Sequence, residues 1–165
     1  MRRDGRGKGI VMRLSGLLTT LLVAAATVLL GSAAAEAACT ISTTAVNFGS
    51  YNVFTPAADD GTGQVTYRCT GPRPPIITIH LDKGGSPSFN PRQMRKGSEA
   101  LNYNLYLDST RSTIWGDGTG GTQVYSQVQP QLGRSINLSV FGRIPAGQDV
   151  SAGTYSATVT ATIFF

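Results

Sequence analysis

From Tyr155 to Ile163 the chain alternates strictly: Tyr155, Ala157, Val159, Ala161 and Ile163 fall on one side of an extended backbone, and Ser156, Thr158, Thr160 and Thr162 on the other. A two-residue period sends successive side chains to opposite faces of a strand, so one face is suited to burial and the other to water. The pattern recurs upstream. Gln64–Thr70 is rich in Val, Thr and Tyr, and Ile76–Leu81 aligns Ile77, Ile79 and Leu81. Leu101–Asp108 sets Leu101, Tyr103, Leu105 and Leu107 against Asn102, Asn104, Tyr106 and Asp108, while Ser135–Ile144 alternates Ile136, Leu138 and Val140 with Asn137 and Ser139. Turn residues separate these runs at Asp59-Asp60-Gly61, Gly71-Pro72, Lys83-Gly84-Gly85, Gly116-Asp117-Gly118 and Pro145-Ala146-Gly147. No sustained 3.6-residue period follows residue 38. About seven short strands with one inward face each predict an all-β fold, an antiparallel sandwich.

The N-terminal region follows a different plan. Arg2, Arg3, Arg6, Lys8 and Arg13 precede an apolar stretch from Leu14 to Leu30 and then a small-residue run ending in Ala35-Glu36-Ala37. Basic, apolar and small-residue regions in that order predict a secretory signal over residues 1–37, cut before Ala38, and a single domain over 38–165. The competing reading is a membrane anchor from Leu14 to Ala35, long enough at about 1.5 Å per residue to span a bilayer core, but its Ser, Gly and Thr residues dilute it and no basic cluster follows. The division also reinterprets the charge. The 165 residues carry 14 basic and 9 acidic side chains; beyond residue 37 there remain nine and seven. With so little excess charge no nucleic-acid partner is expected, and Arg92, Arg95 and Lys96, bounded by Pro91 and Gly97, read as a solvated loop. An exported chain with two cysteines predicts a Cys39–Cys69 disulfide. A loop of that length is worth roughly 3 to 4 kcal/mol in the chain-entropy picture.

Catalytic and cofactor chemistry finds little support. His80, the only histidine, falls on the solvent side of its strand, so no Ser-His-Asp or Cys-His set is expected. Gly116–Gly121 spells G-x-G-x-x-G without the strand and helix a dinucleotide site requires, and reads as a mobile loop. Asp59, Asp60 and Asp117 lack the ligand ladder of a calcium loop. The chain is therefore expected to be no enzyme and to hold no cofactor, metal or small-molecule substrate. A carbohydrate-binding sandwich would have Trp115 and Asp117 as its candidates; Trp115 in its glycine-rich loop fits an exposed contact or a packing anchor.

Together, Cys39-Thr40-Ile41, Val46-Asn47-Phe48-Gly49-Ser50-Tyr51, Gly63 to Thr70, Met94 to Gly97, Leu101 to Tyr106, Ile114 to Gly118, Phe141 to Gln148 and Gly153 to Phe165 resemble the spore coat protein U domain family, which includes subunits of archaic chaperone-usher pili. The resemblance implies an immunoglobulin-like β-sandwich lacking its final strand, with a groove filled first by a periplasmic chaperone and then by a strand from another subunit. It further implies an outer-membrane usher as partner and a place at the cell surface, in a fimbrium or coat, with roles in adhesion or biofilm. By position, Ile41, Val46 and Phe48 of the first strand and Val159, Ala161 and Ile163 of the last are the groove candidates; the alternative is that they are core residues of a complete sandwich. Ile163-Phe164-Phe165 would leave no further strand. Because Cys39 follows the predicted cut so closely, the protein is expected to accept a donor strand and provide none, as a tip or non-polymerising coat component would, unless cleavage occurs earlier. A self-contained secreted coat or matrix protein is the other reading.

Overall fold

A computed structural model describes residues 35–165; the predicted signal lies outside the described residues except for 35–37. Eight strands follow in order: β1 (Ala38–Asn47), β2 (Asp59–Thr70), β3 (Ile76–Leu81), β4 (Arg92–Lys96), β5 (Glu99–Tyr106), β6 (Tyr125–Val128), β7 (Ser135–Ile144) and β8 (Ala161–Phe164). They form a five-stranded sheet, β1-β2-β7-β5-β4, and a three-stranded sheet, β6-β3-β8. Every ladder between these strands is antiparallel. The longest joins β2 to β7, running from Asp59 opposite Ile144 to Arg68 opposite Ser135.

The core lies where the alternation predicts. Val65 and Tyr67 of β2, Leu101, Tyr103 and Leu105 of β5, and Val140 and Ile144 of β7 pack with Ile77, Ile79 and Leu81 of β3. Burial on this scale is what holds two sheets together, at about 1.5 to 3 kcal/mol per large apolar side chain. The Cys39–Cys69 disulfide joins β1 to β2, with the two residues directly opposite in the ladder and an S–S distance of 2.09 Å.

Three local expectations are corrected. Asp59-Asp60-Gly61 is no turn but the start of β2, because Arg143 opposite Asp60 holds its carboxylate with two hydrogen bonds, at 2.8 and 2.9 Å. Arg92–Lys96 is strand β4 rather than a solvated loop, and Arg92 is wholly buried. Its guanidinium donates to the Asp82 carbonyl, to Asn104 Oδ1 and to the Trp115 carbonyl, which satisfies a charge that burial alone would disfavour. The alternating segment Tyr155–Ile163 forms a ladder only from Ala161. Before that it crosses from one sheet to the other: Ser156 exchanges two backbone hydrogen bonds with Arg95 at the β4 edge, and Thr160 is tied to Asp82 beyond β3.

Candidate functional site

The first strand carries an irregularity that shapes the site. Thr44 lies opposite Gln64 and Asn47 opposite Thr62, so Ala45 and Val46 together face the single residue Gly63. Such a β-bulge shifts the parity of a strand and re-aims its side chains. Ile41 points inward before the bulge; Val46 and Phe48 point inward after it. The room they enter comes from glycine. A Cβ on Gly63 would stand 2.7 Å from the Thr44 carbonyl oxygen and 2.8 Å from Val46 Cγ2, and one on Gly142 would stand 2.6 Å from Val46 Cγ1 and 2.7 Å from Phe48 Cζ. Gly61, paired with Gly142 across the β2–β7 ladder, completes the bed. The Phe48 ring meets Tyr103 edge-on, with centroids 6.1 Å apart.

Strand β1 is the edge of the five-stranded sheet and β8 the edge of the three-stranded one, and the two approach each other on one side of the sandwich. Between them runs an apolar cleft. Its first cavity, about 400 Å³, has Val46 and Phe48 on one wall, Ala157, Val159 and Ala161 on the other, and Val65, Leu105 and Val140 beneath. A second cavity, about 790 Å³, continues past Phe48 between the Gly49–Val53 turn and Val150–Tyr155, over Leu101 and Ile144. Ala45, Val46, Phe48 and Met94 border both. The backbone of Ala157–Val159 makes no hydrogen bond to another backbone among the described residues, and the outer side of β8 likewise lacks a neighbouring strand there.

A polar clasp holds the wall of the second cavity. Ser151 donates its amide and hydroxyl to Glu99, Tyr155 donates its hydroxyl to the same carboxylate, and Lys96 Nζ donates to Ser151 Oγ and the Ala152 carbonyl. The Tyr155 hydroxyl and then the Ser151 hydroxyl and amide, with the nearby Lys96 ammonium, hold the Glu99 pKa down at about 2, and the bond to Glu99 raises that of Tyr155. At the far end of the glycine bed the Asp59 carboxyl is pushed up by burial and by Asp60, and its Oδ2 is without a partner among the described residues.

Of the six residues expected to line a groove, Val46, Phe48, Val159 and Ala161 come together in the first cavity. Ile41 instead packs against the core opposite Tyr67, and Ile163 lies opposite Ile79; neither lines the cleft. Trp115 is no exposed contact. It is fully buried, its indole Nε1 donates to the Ile79 carbonyl at 2.9 Å and its ring lies beside Tyr125, because its own amide bonds the Leu105 carbonyl while its neighbours Ile114 and Gly116 bond Gln123, which turns it into the core. The large apolar side chains left outside are Phe54, Val128, Phe164, Phe165 and Ile76. His80 packs its ring against Phe164, with centroids 4.6 Å apart. Sequence reasoning missed the glycine bed, although glycines within a strand signal a close backbone approach.

This architecture has a counterpart among solved structures. The chain is similar in fold to a chain in the crystal structure of the CsuC–CsuE chaperone–tip adhesion subunit pre-assembly complex from archaic chaperone-usher Csu pili of Acinetobacter baumannii, with a TM-score of 0.55 and 23% identity over 79% of this chain and 40% of that one. The sandwich is thus of the immunoglobulin-like kind. Spanning about two-fifths of that matched chain, it is also similar in sequence to Protein U of Myxococcus xanthus, 34% identical over 131 residues that cover 73% of this chain and 71% of the relative. The Spore Coat Protein U domain matches residues 24–162, beginning inside the predicted export segment. A match of that extent, with a relative of that identity, means that the chain belongs to the Spore Coat Protein U domain family.

Proposed function

We propose that the protein is a structural subunit of a secreted surface fibre or coat, and that the cleft between β1 and β8 accepts a β-strand from a partner. The observation that carries this reading is an apolar cleft flanked by two unpaired strand edges. An exposed edge is a template for strand addition, and alternating side chains of an added strand would drop into the cleft while its backbone completes the ladders. Filling the first cavity with two large side chains at about 1.5 to 3 kcal/mol each would be a sizeable fraction of a domain's total stability, typically ~5 to 15 kcal/mol. A chain of this kind gains from a bound strand during export, which is the task of a periplasmic chaperone, and afterwards from a strand of a neighbouring subunit. An outer-membrane usher would hand it from one to the other. The pilus subunit complex among its structural relatives supports this assignment.

Whether the subunit also donates a strand depends on its mature start. Cleavage before Ala38 leaves one residue ahead of Cys39 and gives an accepting, non-donating component. N-terminal sequencing of the secreted protein tests this point, and a start upstream of residue 25 would contradict it.

The cleft itself is tested by thermal unfolding with and without a synthetic strand peptide alternating valine with threonine. A ligand that binds only the folded state raises the midpoint as its concentration exceeds the dissociation constant. An unchanged midpoint at saturating peptide would remove the accepting role and favour a self-contained coat protein.

A further inference from the structure

We propose that Val46 and Phe48 form a resident plug, swung into the cleft by the bulge and displaced from it when a partner strand enters. The inference rests on the accepting role proposed for the cleft. Three observations carry it. The pair borders both cavities, so a strand running from the first to the second would pass directly over both side chains. Much of their seat is glycine backbone at Gly61, Gly63 and Gly142, with the Tyr103 ring meeting Phe48 edge-on. The chain on either side is loosely held: Ser42 to Ala45, Asn47, Gly49 and Ser50 are exposed, and the bulge breaks the ladder to β2 at Ala45 and Val46.

The plug has a clear physical use. It covers floor residues that water would otherwise reach, so the free subunit exposes less apolar surface and pairs less readily with wrong edges. An entering strand replaces the contacts it removes, and its backbone adds hydrogen bonds that the plug does not make. A ligand shifts such an equilibrium only through its different affinity for the two states, here the plugged and unplugged clefts.

The test uses thiol chemistry. Both native cysteines are joined in the disulfide and no free cysteine is present among the described residues, so Val46→Cys introduces a reporter thiol. Its labelling rate by a maleimide is measured with and without a fluorescein-labelled valine–threonine strand peptide, whose binding is followed separately by anisotropy. The expected result is slow labelling in the free protein and an acceleration of about tenfold or more when the peptide is bound. In parallel, Gly142→Ala, whose new methyl would occupy the seat of the plug, should bind the peptide more tightly than the unsubstituted protein. Peptide binding with unchanged or slower labelling would overturn the plug while leaving the accepting role intact. No binding by the unsubstituted protein together with binding by Gly142→Ala supports a plug too tight for this peptide. Failure of both to bind, with folding of each verified by circular dichroism, would overturn the plug and the accepting role together.

Discussion

Gly63 shows how much of the cleft depends on single atoms. The bulge brings the Thr44 carbonyl and Val46 over it, so an added methyl would stand 2.7 Å from that carbonyl oxygen and force the bulge to shift. Overpacking of that kind costs about 1 to 3 kcal/mol. Gly63→Ala should therefore lower stability by this amount in urea unfolding. Trp115 permits a second prediction at this scale. Trp115→Phe keeps most of the ring but leaves the Ile79 carbonyl without its indole donor, and an unmet buried acceptor costs about 1 to 3 kcal/mol. An exposed adhesive tryptophan would instead change stability very little. The sequence could not separate the two roles of Trp115, because its inward turn is decided by its own bond to Leu105 and by the bonds of Ile114 and Gly116 to Gln123, which no local pattern reveals.

Among the elements, the wall of the second cavity depends on the clasp from Lys96 and Glu99 to Ser151 and Tyr155. The Glu99 carboxyl titrates at about 2 in the folded protein against an ordinary 4.5. A carboxyl whose folded value is depressed contributes stability that is complete above the unfolded value and lost as pH falls toward the folded one. The clasp should hence be intact at pH 6 and weaken between about pH 4.5 and 2. Glu99→Gln should be less stable than the unsubstituted protein at pH 6, and the gap should narrow on going to pH 3, as read by chemical denaturation at both values. A gap that widens on acidification would contradict this. The elements also mark where period-two reasoning succeeds and where it stops. β3 and β7 occupy the runs that alternate, Ile76–Leu81 and Ser135–Ile144. β4 was illegible because its charges look solvated, and Arg92 is buried only because carbonyls from two loops and Asn104 of β5 converge on it. The alternation of Tyr155–Ile163 correctly signals an extended chain with one inward face, but a period cannot say that the segment changes sheets and leaves Ala157–Val159 without a backbone partner.

At the scale of the whole molecule, two sheets close around one core and leave one side open between their edge strands. The disulfide pins β1, one of these edges, to β2. Reduction should cost roughly 3 to 4 kcal/mol by chain entropy, measured as a shift of the urea midpoint in the presence of a reductant, and a bound strand should recover part of that loss by holding β1 from its other side. The family could be read from motifs dispersed through the chain, and the core from its periods. The cleft could be read only in part, since Val46 and Phe48 join Val159 and Ala161 through a bulge that no period reveals. In the proposed function, the unpaired edge beside this cleft takes up a strand. Hydrogen exchange at Ala157, Thr158 and Val159 tests it most directly: these amides, without backbone partners in the free protein, should become protected when the strand peptide is added at saturating concentration, and exchange that stays equally fast would contradict it.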